Sequence, residues 1–266
     1  MSTTTVPLAR AVPSSSTTVR RPGGPRPMTY FRSEWLRTIR NRRFFVFSLV
    51  IPLVLLLVIA GPNRNQTLGG LPFATYYMTG MAAWGSMSAV IAGGGRIAAE
   101  RNVGWNRQLR VTPLRPSVYL TTKVITGYAL ACISIALLYL AGLALGVRMP
   151  AGRWAEMTGL VLVGLIPFAA LGVALGHLLS ADSMGPAMGG LTSLFGLVGG
   201  AWGPIADHGV MRAIGEALPS FWLVQSGRVG VGAGGWPPKA WLVVAAWTIV
   251  FARIAIWAHR RDTGKM

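Results

Sequence analysis

Long apolar runs alternate with short polar intervals along most of the chain. A helix needs about 20 consecutive apolar residues to cross the hydrocarbon core of a bilayer, and each of these runs is close to that length. The pattern therefore predicts an all-α polytopic membrane protein with six transmembrane helices, which cover residues 44–60, 76–95, 124–147, 157–179, 184–205 and 240–258.

Proline and glycine add detail to these predicted spans. Pro52 and Pro167 lie inside the first and fourth spans, and each predicts a kink or a break because proline lacks the amide donor of the helical ladder. Small residues spaced four apart let two helices approach closely in a membrane. In the fifth span this spacing predicts a helix-packing face that consists of Gly185, Gly189, Gly196 and Gly200.

Two segments outside the spans also have helical periodicity. Residues 29–43 place aromatic and aliphatic side chains against arginines, which predicts an amphipathic N-terminal helix lying in the membrane interface. Residues 210–224, before the sixth span, are only moderately apolar and carry two charges, which predicts a short helix that is either interfacial or re-entrant. The residues expected to hold the N-terminal helix in the interface are Trp35, Arg37, Arg40 and Arg43.

Composition and charge agree with this topology. The chain has 266 residues, of which 52% are hydrophobic and only 12% are charged, whereas soluble domains carry about 25% charged residues. The net charge of +18 lies mostly beside the apolar runs, which favours positive-inside topology and contact with anionic lipid over nucleic-acid binding. Eighteen basic residues fall on one side of the predicted topology and six on the other, so both termini are expected in the cytoplasm. Residues 1–28 are expected to form a disordered basic tail, and residues 29–266 one transmembrane domain.

The longest polar interval with a clear charge bias is residues 96–123, which has six basic residues and one acidic residue. Residues 96–110 can form a helix in which Arg96 and Glu100 are four apart and can pair, and Pro113 ends it. On the predicted topology this helix is cytoplasmic and lies between the second and third spans. Periodicity alone leaves two alternatives open: a structured coupling element, or an ordinary connection held on anionic lipid.

The sequence lacks recognisable motifs for ATP binding, catalysis or metal binding. It contains no Walker A sequence for binding ATP, and its three histidines and single cysteine fall into no recognisable catalytic or metal-binding pattern. No acidic residue lies well inside a predicted span, which argues against an ion-coupled carrier. A lipid-modifying membrane enzyme and an ATP-independent carrier stay open as alternatives to a transport subunit that is driven from outside.

The charged interval carries a family signature. Glu100-Arg101, Gly104, Leu109-Arg110 and Thr112-Pro113-Leu114 match E-R-x-x-G-x-x-x-x-L-R-x-[ST]-P-L, and Lys123 opens the next span. This pattern, with six spans and a basic amphipathic N-terminal helix, resembles the ABC-2 type transporter permeases. Among these permeases, the chain is most similar to the daunorubicin-resistance type of drug exporter from actinobacteria.

The resemblance implies the membrane-spanning permease subunit of an ATP-binding cassette exporter in a bacterial plasma membrane. It implies no cofactor on this chain, a separate ATPase subunit that binds ATP and Mg²⁺, a second permease copy or relative, membrane lipids as partners, and no nucleic acid. It further implies export of an amphipathic drug, antibiotic or lipid-like compound, with the first, second and fifth spans forming the dimer interface and the pathway. The coupling residues that it implies are Glu100, Arg101, Gly104, Trp105, Leu109, Arg110 and Pro113.

Overall fold

The computed structural model describes residues 31–32, 34–36, 46–68, 70–104, 116–205, 208–229, 231 and 235–264. Some sequence predictions lie outside these residues. They are the basic tail 1–28 and the side chains Arg37, Arg40, Arg43, Trp105, Leu109, Arg110 and Pro113.

The described residues are mostly helical. Residues 31–32 and 34–36 are helical and are called the amphipathic segment below. Strands β1 (Thr67–Leu68) and β2 (Leu71–Pro72) form a small antiparallel pair between the first two helices. The helices are α1 (46–60), α2 (Phe73–Asn102), α3 (Pro116–Ala144), α4 (Ala151–Gly164), α5 (Ile166–Leu178), α6 (Ala181–Gly199), α7 (Val210–Ala217), α8 (Pro219–Val229) and α9 (Pro238–Gly264).

Helix α2 lies at the centre of the bundle. Every residue from Ala74 to Gly94 is buried, and α2 packs against α3, α5, α6 and α8. Many of these residues are Gly, Ala, Ser or Thr, so the neighbouring helices can pack closely around α2. Protein, and not lipid, therefore covers the predicted second span.

Three stretches of the described chain are long and apolar enough to cross a bilayer: Val118–Ala144, Ala151–Leu178 and Pro238–Asp262. Ser48–Ala60 is a shorter apolar helix. Helices α2 and α6 are less apolar because glycine and hydroxyl residues replace large aliphatic ones. The fold is that of a polytopic helical membrane protein, and the crossing of the bilayer by all six predicted spans stays a prediction.

The structure corrects several predicted boundaries. The helix of the second span continues to Asn102, and that of the third begins at Pro116 and ends at Ala144. The fourth span consists of two helices that meet at Leu165. The helix of the fifth ends at Gly199, because Gly200 has a φ of 74° in the left-handed region that favours glycine.

The segment before the last span contains two helices where the sequence predicted one. They meet at Leu218, which is extended because the following Pro219 disfavours helical backbone at the preceding residue. Every residue of α8 except Gln225 is buried in the bundle, as expected of a re-entrant helix. The short helix α7 instead exposes Val210, Met211 and Ile214, as expected of a surface helix. The last helix then runs from Pro238 to Gly264, beyond the predicted 240–258 at both ends.

Helices α2 and α5 cross at glycines outside the packing face predicted for the fifth span. A Cβ on Gly94 would collide with the carbonyl group of Gly172. A Cβ on Gly176 would lie 2.5 Å from the Gly94 carbonyl oxygen and 2.8 Å from the Ile97 side chain. The two backbones are in direct contact here, so a motion of one helix displaces the other.

This contact predicts that Gly94→Ala destabilises the protein by about 1–3 kcal/mol, the usual cost of overpacking a close-packed interior. Gly159→Ala is the matched control, because a Cβ there meets nothing within 4 Å. Thermal unfolding of the purified chain in detergent measures both. Equal unfolding temperatures for the two variants would contradict a tight α2–α5 crossing.

Candidate functional site: the charged end of the bundle

A buried lysine links three elements at one end of the bundle. The Lys123 side chain is 1% exposed, and its Nζ lies 2.6 Å from Oε1 of Glu34 and 2.5 Å from Oε1 of Glu100. Tyr119 donates its hydroxyl proton to the other Glu100 oxygen at 2.6 Å, and Arg96 lies 3.6 Å from Glu34. These five residues, called the lysine cluster below, join the amphipathic segment, the last turns of α2 and the first turns of α3.

Burial makes the lysine cluster highly sensitive to the loss of a partner. The Glu34 side chain is 2% exposed and that of Glu100 is 16% exposed. Charges removed from water are tolerated only when opposite charges and hydrogen bonds replace the lost hydration. The cluster balances two cations against two carboxylates, so each member depends on the others.

A second polar cluster lies at the same end of the bundle. Two guanidinium nitrogens of Arg101, Nη2 and Nε, lie 2.8 and 2.7 Å from the two Asp262 oxygens. Arg101 also donates to the carbonyl oxygens of Gly176 and Leu179 at the end of α5. The Nδ1 atom of His177 lies 3.1 Å from Asp262. This aspartate cluster ties α2 to α5 and to the last turn of α9.

The structure places the described coupling residues in different surroundings. Glu100 belongs to the lysine cluster and its neighbour Arg101 to the aspartate cluster. Residues 96–102 of the predicted 96–110 helix are the last turns of α2, which ends at Asn102 because Gly104 has a φ of 71° in a turn. Residues 105–110 of that prediction lie outside the described residues. Trp35, in the amphipathic segment, is half-buried.

Four important residues were absent from the predicted coupling set: Glu34, Lys123, His177 and Asp262. Glu34, His177 and Asp262 lie between 66 and 162 positions from Glu100 or Arg101 in the sequence. Lys123 was noted only as the residue that opens the third span. Helical spacing brings together only residues three or four apart. A weak signal existed in Lys123, a lone lysine directly before an apolar run.

A cavity of about 630 Å³ lies between α1, α2 and α6. Trp84, Ser88 and Thr192 line it, and none of the described residues that line it is charged. Gly185 and Gly189 also line it, and a Cβ on either would meet nothing within 4 Å. The other two glycines predicted for packing differ: Gly196 packs against the Trp84 indole, and Gly200 ends the helix.

Comparison with known proteins identifies the family to which this chain belongs. The profile described as ABC-2 family transporter protein matches residues 62–257, most of the chain. The chain belongs to this family. The match includes α2, α3 and the cavity wall formed by α2 and α6, and it leaves α1, Glu34 and Asp262 outside its bounds.

A relative from Bacillus subtilis (strain 168) agrees with the family assignment. The chain is 27% identical over 235 residues to YvfS of Bacillus subtilis (strain 168), which is named as a candidate transport permease. The match covers 86% of this chain and 95% of YvfS. The protein is therefore a multi-pass ABC-2 family transport permease. Its resemblance to the daunorubicin-resistance type stays a prediction.

Substitution of a buried lysine, compared with that of an exposed lysine, tests how much the lysine cluster contributes to stability. Lys123→Met removes the cation shared by Glu34 and Glu100 and leaves only the longer Arg96–Glu34 pair, so the free energy of unfolding falls by about 3–5 kcal/mol. Lys239→Met is the matched control: its Nζ lies 2.5 Å from Glu216, but its side chain is 57% exposed. An exposed pair contributes about 0–1 kcal/mol, so this variant stays close to the parent.

Denaturant unfolding in detergent measures both lysine variants. Hydrogen bonds from Lys239 and then from Arg212 hold the pKa of Glu216 below its usual value. The control pair is therefore fully ionised at neutral pH, and its contribution is lost only as the pH falls through that lowered pKa. Equal effects of the two substitutions at neutral pH would show that the burial of Lys123 has no energetic consequence.

Proposed function

We propose that this chain is the permease subunit of an ATP-binding cassette exporter that a separate ATPase subunit drives from the charged end. The supporting observation is the convergence of five elements there: the amphipathic segment, α2, α3, α5 and α9. The signature residues Glu100 and Arg101 lie in the two clusters that join these elements. A force applied to the polar interval after Asn102 would thus reach several helices at once.

Helix continuity supports transmission along α2. Its 30 residues form one helix from Phe73 to Asn102, which corresponds to about 45 Å at 1.5 Å per residue. A displacement of its charged end moves the cavity wall at Trp84 and Ser88, because these residues are on the same helix. The Gly94 crossing passes the displacement to α5.

The cavity suggests the chemistry of the cargo. The described residues of its lining combine aliphatic, indole and hydroxyl groups and carry no charge, which suits an amphipathic compound, such as a drug, an antibiotic or a lipid-like molecule. The open space beside Gly185 and Gly189 suits a second permease copy or a relative, which would complete the pathway between α1, α2 and α6. Drug export of the daunorubicin-resistance type falls within this proposal.

The charge distribution supports an orientation. Eighteen basic residues lie on the side of the predicted topology that contains the charged end and both termini, so this end faces the cytoplasm of a bacterial plasma membrane. ATP and Mg²⁺ bind the partner subunit, and the charged end supplies the docking surface. The polar interval itself, with Arg110, provides the contact.

Two substitutions test this division of roles. Arg110→Ala lowers the yield of the ATPase subunit that co-purifies with the permease from the native bacterium, because it removes a charge from the docking interval. Glu100→Gln retains co-purification but lowers permease-dependent ATP hydrolysis, because it removes the charge that connects the interval to Lys123. Each loss is expected to be about tenfold, which corresponds to 1.4 kcal/mol of lost interaction.

Lys239→Met is the control, since it removes an exposed ion pair at the opposite end. The thermal unfolding temperature of Glu100→Gln must be measured beside its ATPase activity, to separate a loss of coupling from a loss of fold. Unchanged association and hydrolysis in both folded variants would exclude the charged end as the coupling site. Failure to recover any ATPase subunit with the parent chain would contradict the exporter proposal itself.

A further inference from the structure

Helices α2, α6 and α8 meet at the end of the bundle opposite the charged end. A Cβ on Gly80 would collide with the carbonyl group of Ala201, just beyond α6. A Cβ on Gly227 of α8 would lie 3.0 Å from the carbonyl oxygen of Thr79. One on Gly199 would lie 2.9 Å from the carbonyl oxygen of Ser220. Backbone contact thus closes this junction, called the glycine seam below.

A buried arginine lies in the glycine seam. Arg228 is 7% exposed, and its Nη2 donates a 2.6 Å hydrogen bond to the carbonyl oxygen of Gly200. Its guanidinium carbon lies 4.0 Å from the centre of the Tyr76 ring. Among the described residues, no carboxylate forms an ion pair with Arg228. A carbonyl group and an aromatic face, from two different elements, therefore replace a counter-ion.

This environment differs physically from that of Lys123. An arginine cannot lose its proton inside a protein, so Arg228 stays charged in the closed seam. A carbonyl group and a cation–π contact compensate only part of the hydration that a buried cation loses. If α2 and α6 move apart, water regains access to the guanidinium and restores that hydration. An apolar side chain at the same position would gain nothing from this separation.

We propose that Arg228 makes the glycine seam a gate, with a closed dry state held by Gly200 and Tyr76 and an open state in which water solvates the guanidinium. The seam is well placed for this role. Gly80 lies one helical turn from Trp84, whose indole nitrogen donates to the Thr192 carbonyl oxygen at 2.8 Å at the margin of the cavity. The seam thus separates the cavity from the end that faces outward. This direction rests on the orientation given under Proposed function.

Cysteine accessibility in the full chain tests the gate. In a Cys132→Ser background, Ser88→Cys places a thiol in the cavity wall. Right-side-out membrane vesicles are treated with a membrane-impermeant maleimide, and the rate of modification is measured. Arg228→Met slows modification at least about tenfold, while the thermal unfolding temperature is unchanged or higher, because the buried charge is what favours opening. Arg228→Lys restores much of the rate, since an ammonium group also gains hydration on opening.

Arg153→Met is the matched control. Arg153 also contacts α8, through a 3.5 Å hydrogen bond to the Val229 carbonyl oxygen, but its side chain is half-exposed, so its removal leaves the rate unchanged. The proposal is overturned if the Ser88→Cys thiol is modified at the parental rate or faster in the Arg228→Met variant. It is equally overturned if Arg228→Met lowers the unfolding temperature, as the loss of a purely structural contact would. It is also overturned if Ser88→Cys in the parent chain does not react from either side.

A reporter at Val210 separates this inference from the proposed function. Val210 is 76% exposed on α7, at the same end as the seam, so Val210→Cys reacts in right-side-out vesicles if that end faces outward. Reaction only in inverted vesicles would refute the proposed orientation and leave the gate standing. The modification rates of Ser88→Cys in the Arg228→Met variant and in the parent are then compared in inverted vesicles. The same tenfold difference in rate is expected there if the gate proposal is right.

Discussion

The arrangement of this permease depends on how charges are compensated away from water. Lys123 is completely enclosed, so its ammonium group must be neutralised by protein, and the two carboxylates that do so come from different elements. That requirement brings the amphipathic segment onto the ends of α2 and α3. It also makes the charged end a single unit, because separating any two of these elements would leave a charge unpaired in a medium of low dielectric constant.

Close backbone packing extends this unit into the bundle. Helix α2 is buried from Ala74 to Gly94 and touches the α5 backbone at Gly94 and Gly172. A helix in such contact cannot slide past its neighbour without a clash, so its motions are those of a rigid body. The same helix carries signature residues at one end, cavity residues in its middle and the Tyr76 ring near the other end. It thus connects the charged end, the cavity and the glycine seam.

Buried cations have different kinds of partner at the two ends of the bundle. At the charged end, Lys123 and Arg101 have carboxylate partners within 3 Å, which favours one stable arrangement. At the seam, the partners of Arg228 among the described residues are a carbonyl group and an aromatic ring, which leaves the closed state less strongly favoured. A transporter needs both properties. Under the proposed function, the end that receives force must hold together, and the end that releases cargo must be able to separate.

The sequence by itself determined the class and the family, because these follow from the length of apolar runs and a short motif. Glu100 and Arg101 were found from local spacing. Only the tertiary structure decided their partners, since Glu34, His177 and Asp262 are distant in sequence and no periodicity relates them. It also decided which glycines are in contact: Gly94 and Gly172 meet, whereas Gly185 and Gly189 face open space. The physical reason is that helical spacing specifies a face, but the identity of the opposing surface depends on how whole helices pack together.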